Sequence, residues 1–193
     1  MSPKRYRWWH GVAFYAGVQV ARLALRRAVR SHQQASHKED QGFYQAERLP
    51  VFAPPPLAFP IAWTIINIAA IAGGLHVLNL PRGTKGRREF LLLQAAAWLL
   101  FSTFEAAYFG LRSPINAALI TLLYSGVNTA SMNVARRRLH DSFAARSLAP
   151  TAAWLALANP VGITQAAWNY DRFWDAGPFV EPHPRLLKAA TGG

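Results

Sequence analysis

Four long apolar runs constrain this chain more than any other feature: residues 57–80, 90–111, 115–134 and 148–168. Each has roughly the 20 residues that cross a hydrocarbon core at about 1.5 Å of helical rise per residue. Asn67 and His76 interrupt the first run, Glu105 is the single charge of the second, and the third has no charge. The fourth is broken in its middle by Asn159 and Pro160. In lipid the backbone must satisfy itself within each segment, so all four runs read as helices. No alternating ten-residue pattern suggests a barrel.

Charge supports the same class. Charged residues make up 16% of the 193-residue chain against 52% hydrophobic, well under the roughly 25% charged of a soluble domain. Lys and Arg outnumber Asp and Glu by 21 to 9, a balance that could point to nucleic acid. Here the basic residues flank the apolar runs instead, so no nucleic-acid partner is expected. Connectors 81–89 (Arg82, Lys85, Arg87, Arg88) and 135–147 (Arg136, Arg137, Arg138, Arg146) should share the positive side of the membrane. The C-terminal tail and Arg26, Arg27, Arg30 and Lys38 fall on the other side, where the arginines and lysine run against that rule.

The chain divides into a basic arm (1–42), an apolar bundle (43–170) and a polar tail (171–193). Within the arm, residues 11–25 form a short apolar stretch, and Arg22, Arg26 and Arg30 recur at i, i+4 and i+8. That stripe predicts a helix lying in the interface, or a spanning one whose arginines snorkel to lipid headgroups. The first 38 residues hold eight Lys or Arg and no acid, which resembles a mitochondrial targeting segment. The alternative is a bacterial inner-membrane protein whose basic arm touches anionic lipid. Arg136, Arg137 and Arg138 are further headgroup candidates.

The stretch Phe43-Tyr44, then Leu49-Pro50-Val51-Phe52-Ala53-Pro54-Pro55-Pro56-Leu57-Ala58-Phe59-Pro60-Ile61-Ala62-Trp63, closing at Asn67, is the most informative. It resembles the translocator protein/tryptophan-rich sensory protein family (TspO/MBR). There a Pro-Pro-x-Trp-x-Phe-x-x-x-Trp-x-x-x-Tyr run opens the second of five helices. Pro54, Pro55, Phe59 and Trp63 match in identity and spacing. Gln94, Ser102, the run from Tyr108 to Pro114, and Ala152-Ala153-Trp154-Leu155 are similar to later parts of the family. The resemblance implies an all-α integral membrane bundle of five helices, with the short basic helix as the first. It also implies a pocket for porphyrins, sterols or aromatic ligands beneath the first loop. Pro54, Pro55, Phe59, Trp63, Asn67, Trp98, Phe101, Ser102, Glu105 and Tyr108 are the candidate lining. Departures from the family pattern are Leu57, Asn67, Trp98, Phe101, Ala158, Asn159 and Gly162.

Glu105 is the sharpest single residue, since a carboxylate inside an apolar span costs about 2.5–3.5 kcal/mol on insertion scales and faces protein or a wet cavity. Its expected partners are a ligand, Asn67, Asn128 or a neighbouring subunit. Trp168, Tyr170 and Trp174 are expected to form an interfacial belt. Small residues (Ala69, Ala72, Gly73, Gly74; Ala95 to Ala97; Ala117 and Ala118) predict close helix contacts. The chain has no Cys, and its histidines, His76 included, form no metal-ligand spacing. No triad, carboxylate pair or phosphate loop is visible, so neither metal, cofactor nor catalysis is expected.

Two functions fit this reading, the first being the one expected and the second its alternative. One is a non-catalytic accessory subunit of a larger membrane complex, mitochondrial respiratory by preference, with a degraded pocket, bound phospholipid and other subunits as partners. The other is family-like binding or transport of a tetrapyrrole, sterol or lipid.

Overall fold

The computed structural model describes residues 5–30 and 37–188. Its helices are α1 (Trp8–Arg30), α2 (His37–Ala46), α3 (Ala58–Leu78), α4 (Arg87–Glu105), α5 (Pro114–Arg137), α6 (Ser142–Ser147) and α7 (Ala149–Trp168). One π-helical turn, Ala106–Gly110, carries α4 onward. Among the described residues no strand forms; two isolated bridges join Pro50 to Leu187 and Asp171 to Ala176. Ala58–Leu78 and Arg87–Gly110 are each long and apolar enough to cross a membrane.

Two elements differ from expectation. The first helix is 23 residues long, about 34 Å at 1.5 Å per residue, because Trp8 to His10 and Arg26 to Arg30 extend it at both ends. And α7 runs unbroken through Pro160. The Pro160 ring lies on an exposed face, and Thr164 Oγ1 donates to the carbonyls of Pro160 and Val161 at 2.8 and 2.9 Å. Prolines persist in such helices where side-chain hydroxyls and neighbouring packing compensate the interrupted ladder.

The bundle is apolar outside and polar within. Ile61, Ile65, Ile68, Leu92, Leu99, Leu119, Leu123 and Ile163 are exposed, whereas Asn67, Gln94, Thr121, Asn128, Ser131 and Gln165 are buried. Water would punish that arrangement and hydrocarbon rewards it. Inside, the polar groups pair: Gln94 donates to Ser131 at 3.1 Å and Asn159 to Ser125 at 2.7 Å.

Helix α5 packs most extensively against α7 and α4. Small residues make this possible, as predicted for Ala117 and Ala118, which are both buried. Gly162 of α7 lies so close that a Cβ there would meet the Ala118 backbone at 3.5 Å. Gly73 of α3 is tighter still: a Cβ would stand 2.0 Å from Ser147 Oγ and 2.7 Å from Ser147 Cβ. Gly86, with φ of 82°, turns the chain into α4 at a place where a side chain would strike Arg138.

The two basic connectors do meet at one end of the bundle, where Arg138 pairs with Glu89 and His76 with Asp141 at 2.6 Å. Tyr6 and Asn79 exchange two hydrogen bonds at the same end, 2.7 and 2.8 Å. At the other end the chain after α7 folds back. Asp171 is 1% exposed, and its Oδ2 accepts from the Ser113 hydroxyl at 2.7 Å and the Ile115 amide at 2.9 Å. Its Oδ1 accepts from the amides of Phe173 and Trp174, both at 3.0 Å. A carboxylate beside the first turn of α5 also meets the positive end of the helix dipole.

Two substitutions should show this in thermal unfolding of the detergent-solubilised protein. Asp171→Ala leaves the buried Ser113 hydroxyl and three part-buried amides without their acceptor and should cost at least about 2 kcal/mol, given about 1–3 kcal/mol per orphaned group. Gly73→Val overpacks the contact with Ser147 and should cost about 1–3 kcal/mol, whereas Gly74→Ala, which meets nothing within 4 Å, should be tolerated.

Candidate functional site

The bundle holds a cavity of about 490 Å³, within the range that takes a drug-sized ligand. Its walls come from all five long helices. Phe59, Pro60, Trp63, Thr64 and Asn67 contribute from α3, and Phe101, Phe104 and Glu105 from α4. Tyr108 and Phe109 follow from the π turn, Ala117 and Thr121 from α5, and Ala158, Val161, Gly162 and Gln165 from α7. Helix α1 adds Tyr15, Arg22 and Arg26; Tyr44 and Pro56 stand at the roof.

Helical spacing accounts for the shared faces. Phe59, Trp63 and Asn67 follow one another at i+4, and Phe101, Glu105 and Tyr108 at i+4 and i+3, so each set lines one stripe. The aromatic rings interlock. Trp63 lies 4.9 Å from Phe101 and stacks on Tyr124 at 6.1 Å, while Phe59 meets Trp154 edge-on at 5.3 Å and Tyr44 at 5.2 Å.

Six of the predicted lining residues thus come together: Phe59, Trp63, Asn67, Phe101, Glu105 and Tyr108. Four lie elsewhere. Trp98 packs against Phe14 and Tyr15 of α1 at 5.2 and 6.4 Å, filling the seam between helices. Ser102 turns its hydroxyl to the Trp98 carbonyl at 2.7 Å. Pro54 and Pro55 hold the roof loop, where the Pro54 carbonyl accepts from the Tyr44 hydroxyl at 3.0 Å. Sequence reasoning missed Tyr44, Thr121, Gln165 and the two arginines of α1.

Those arginines reverse the headgroup expectation. Arg22 and Arg26 point into the bundle, and Arg26 is 8% exposed. Arg22 Nη2 donates to Glu105 Oε1 at 2.5 Å and Nη1 to Gln19 at 2.8 Å, with the guanidinium 4.6 Å above the Phe101 ring. Glu105 therefore pairs with Arg22, not with Asn67 or Asn128. The Asn67 amide instead donates to Tyr15 Oη at 3.3 Å. Arg136, Arg137 and Arg138 remain exposed at the basic end; the side chains of Arg30 and Lys38 lie outside what is described. In the expected belt, Tyr170 and Trp174 are about half exposed, but Trp168 is buried against the bundle.

The roof is pinned from the C-terminal side. Asn169 accepts from the Arg48 amide at 2.7 Å and donates to its carbonyl at 3.1 Å. Further out, the Val51 amide bonds Leu186 at 2.9 Å and the Lys188 amide bonds Leu49 at 2.8 Å. Burial keeps the Tyr44 phenol protonated, pushing it up to about 12. Burial also raises the Glu47 carboxyl from 4.5 to about 7, against the pull of Arg172 and Arg112 and with help from Asp171.

A carboxyl raised in the folded state stabilises it fully below pH 4.5, and that contribution is lost as pH rises through about 7. Unfolding curves of the wild type and Glu47→Gln across that window should diverge, with the wild type losing stability relative to the variant as pH rises; parallel curves would remove Glu47 from the roof's pH response.

Compared with known protein families, the chain matches the TspO/MBR family over residues 17–165. No curated protein matches it.

Proposed function

Since this chain belongs to the TspO/MBR family, we propose that it binds a largely apolar ligand of tetrapyrrole, sterol or lipid type in the intramembrane cavity and does no chemistry on it. The observation that carries this reading is the aromatic-walled cavity of about 490 Å³ roofed by the loop before α3. Large ring surfaces supply apolar contact area, and a few polar groups fix orientation. Ala158, which departs from the family pattern, leaves room in the wall. On this reading all five long helices span, α1 included. Its exposed Val12, Phe14, Val20 and Leu23 would meet lipid while the opposite face meets the bundle.

The accessory-subunit reading draws its support from the basic arm and the Pro-rich stretches of the sequence. It expects a degraded pocket, and the cavity favours ligand binding over it. The mitochondrial inner membrane is the compartment favoured by the acid-free, Arg-rich first 38 residues, with a bacterial inner membrane as the alternative. Native electrophoresis after gentle extraction discriminates: a monomer or dimer supports the ligand binder, and stable co-migration with a large complex supports the subunit.

The cavity itself is tested by filling it. Ala158→Phe should lower affinity for protoporphyrin or a sterol at least tenfold, about 1.4 kcal/mol, in a tryptophan-quenching titration. Unchanged affinity in a variant that still folds would show that ligands bind elsewhere.

A further inference from the structure

We infer that the basic end of the bundle is a docking surface for anionic phospholipid headgroups, with Arg82, Lys85, Arg88, Arg136 and Arg137 as the groups that receive the phosphates. The inference is independent of what fills the cavity.

Stretches distant in sequence build this surface. Gly86, just before α4, sits so close to the end of α5 that a Cβ there would stand 2.8 Å from Arg138 Cβ, and Arg138 pairs with Glu89 of α4. The start of the chain joins them through the bonds between Tyr6 and Asn79, which bring Arg5 and Arg7 to the same end.

The acids there are already engaged. Connectors 81–89 and 135–147 hold only Glu89 and Asp141. Glu89 is taken by Arg138, and Asp141 by His76 and by the Ala144 amide that it caps at 2.9 Å. Arg87 is occupied too, donating to the carbonyls of Val77 and Leu78 at 3.2 and 2.9 Å, and Arg146 donates to the Ser142 hydroxyl at 2.9 Å. The five named cations remain. All are exposed, and none has a hydrogen-bond or ion-pair partner among the described residues. Like charges gathered on one surface raise its potential and draw an anion from outside.

What stands beside the cations favours lipid over nucleic acid or an acidic protein. Tyr6, Trp8, Trp9 and Phe143 are exposed at this end, Trp8 at 75%, and such rings sit at headgroup level on membrane proteins. A turn or so along the helices, Val12 and Leu92 are exposed and apolar. The cations therefore stand where acyl chains give way to phosphates, within reach of flexible basic side chains. The opposite end differs, since Asp175 and Glu181 are exposed among its arginines.

The test places the full chain in nanodiscs of equimolar phosphatidylglycerol and phosphatidylcholine with the same acyl chains. Native mass spectrometry then counts the lipids each chain retains. Phosphatidylglycerol should be retained at least about tenfold more, since each basic residue near an anionic surface contributes about fivefold. That ratio should fall as ammonium acetate is raised from about 0.05 to about 0.5 M, because exposed charges are screened. The deciding variant carries Arg82→Gln, Lys85→Gln, Arg88→Gln, Arg136→Gln and Arg137→Gln together, with circular dichroism to check its helices. Its ratio should drop to within about twofold of unity, whereas Arg185→Gln at the other end should leave the wild-type preference unchanged. No preference in the wild type, or one that survives all five substitutions, overturns the assignment. Two competitors identify the anion: neither inorganic phosphate at about 10 mM nor a poly-uridine oligonucleotide should displace the lipid. Displacement by either would give the surface to that anion and overturn the lipid assignment.

Discussion

One ion pair sets the rotation of the first helix, and much of the cavity follows from that rotation. A guanidinium or a carboxylate alone in an apolar bundle would be expelled or neutralised; facing each other, Arg22 and Glu105 tolerate burial and join α1 to α4. Once Arg22 faces inward, helical geometry brings Gly11, Tyr15, Val18 and Arg26 to the same side. Gly11 and Val18 are indeed buried, and Tyr15 and Arg26 line the cavity. The opposite face is left with Val12, Val20 and Leu23, which suit lipid.

The contact between α5 and α7 depends on a different device. There α5 approaches α7 through alanine and glycine, and buried amides and hydroxyls pair across the interface. Lipid offers no hydrophobic drive for helices to associate, so close backbone approach and interhelical hydrogen bonds must supply it. The cavity opens where this close packing gives way to large rings. Phe59, Trp63 and Phe101 supply the large rings of the wall, and Ala158 leaves space beside them.

How much of this could be read from the chain divides along a physical line. Spacing within one helix was legible: Phe59, Trp63 and Asn67 share a stripe, as do Phe101, Glu105 and Tyr108, and both stripes meet at the cavity. Which neighbour a stripe meets was not legible. The arginines of α1 were visible as a periodic row, but a cationic row can face headgroups or an acid, and only the depth match with Glu105 would have distinguished them. Trp98 shares its helix with the cavity residues yet sits toward α1. Asp171 looked like one charge among several in a polar tail, because nothing local reveals that Ser113 and Ile115 lie beside it from 58 and 56 residues away. Pro160 shows the same limit from the other direction, since a residue that breaks isolated helices is carried by its surroundings.

The hydrogen bonds between the last described residues and the roof have a consequence for the protein's biosynthesis. Leu49 and Val51 take their partners from Lys188 and Leu186, and Arg48 takes its own from Asn169. Chains emerge from the ribosome N-terminus first, so α1 to α5 are made before the residues that clasp the roof. The chamber is finished only after residues 169–188 have followed the bundle out.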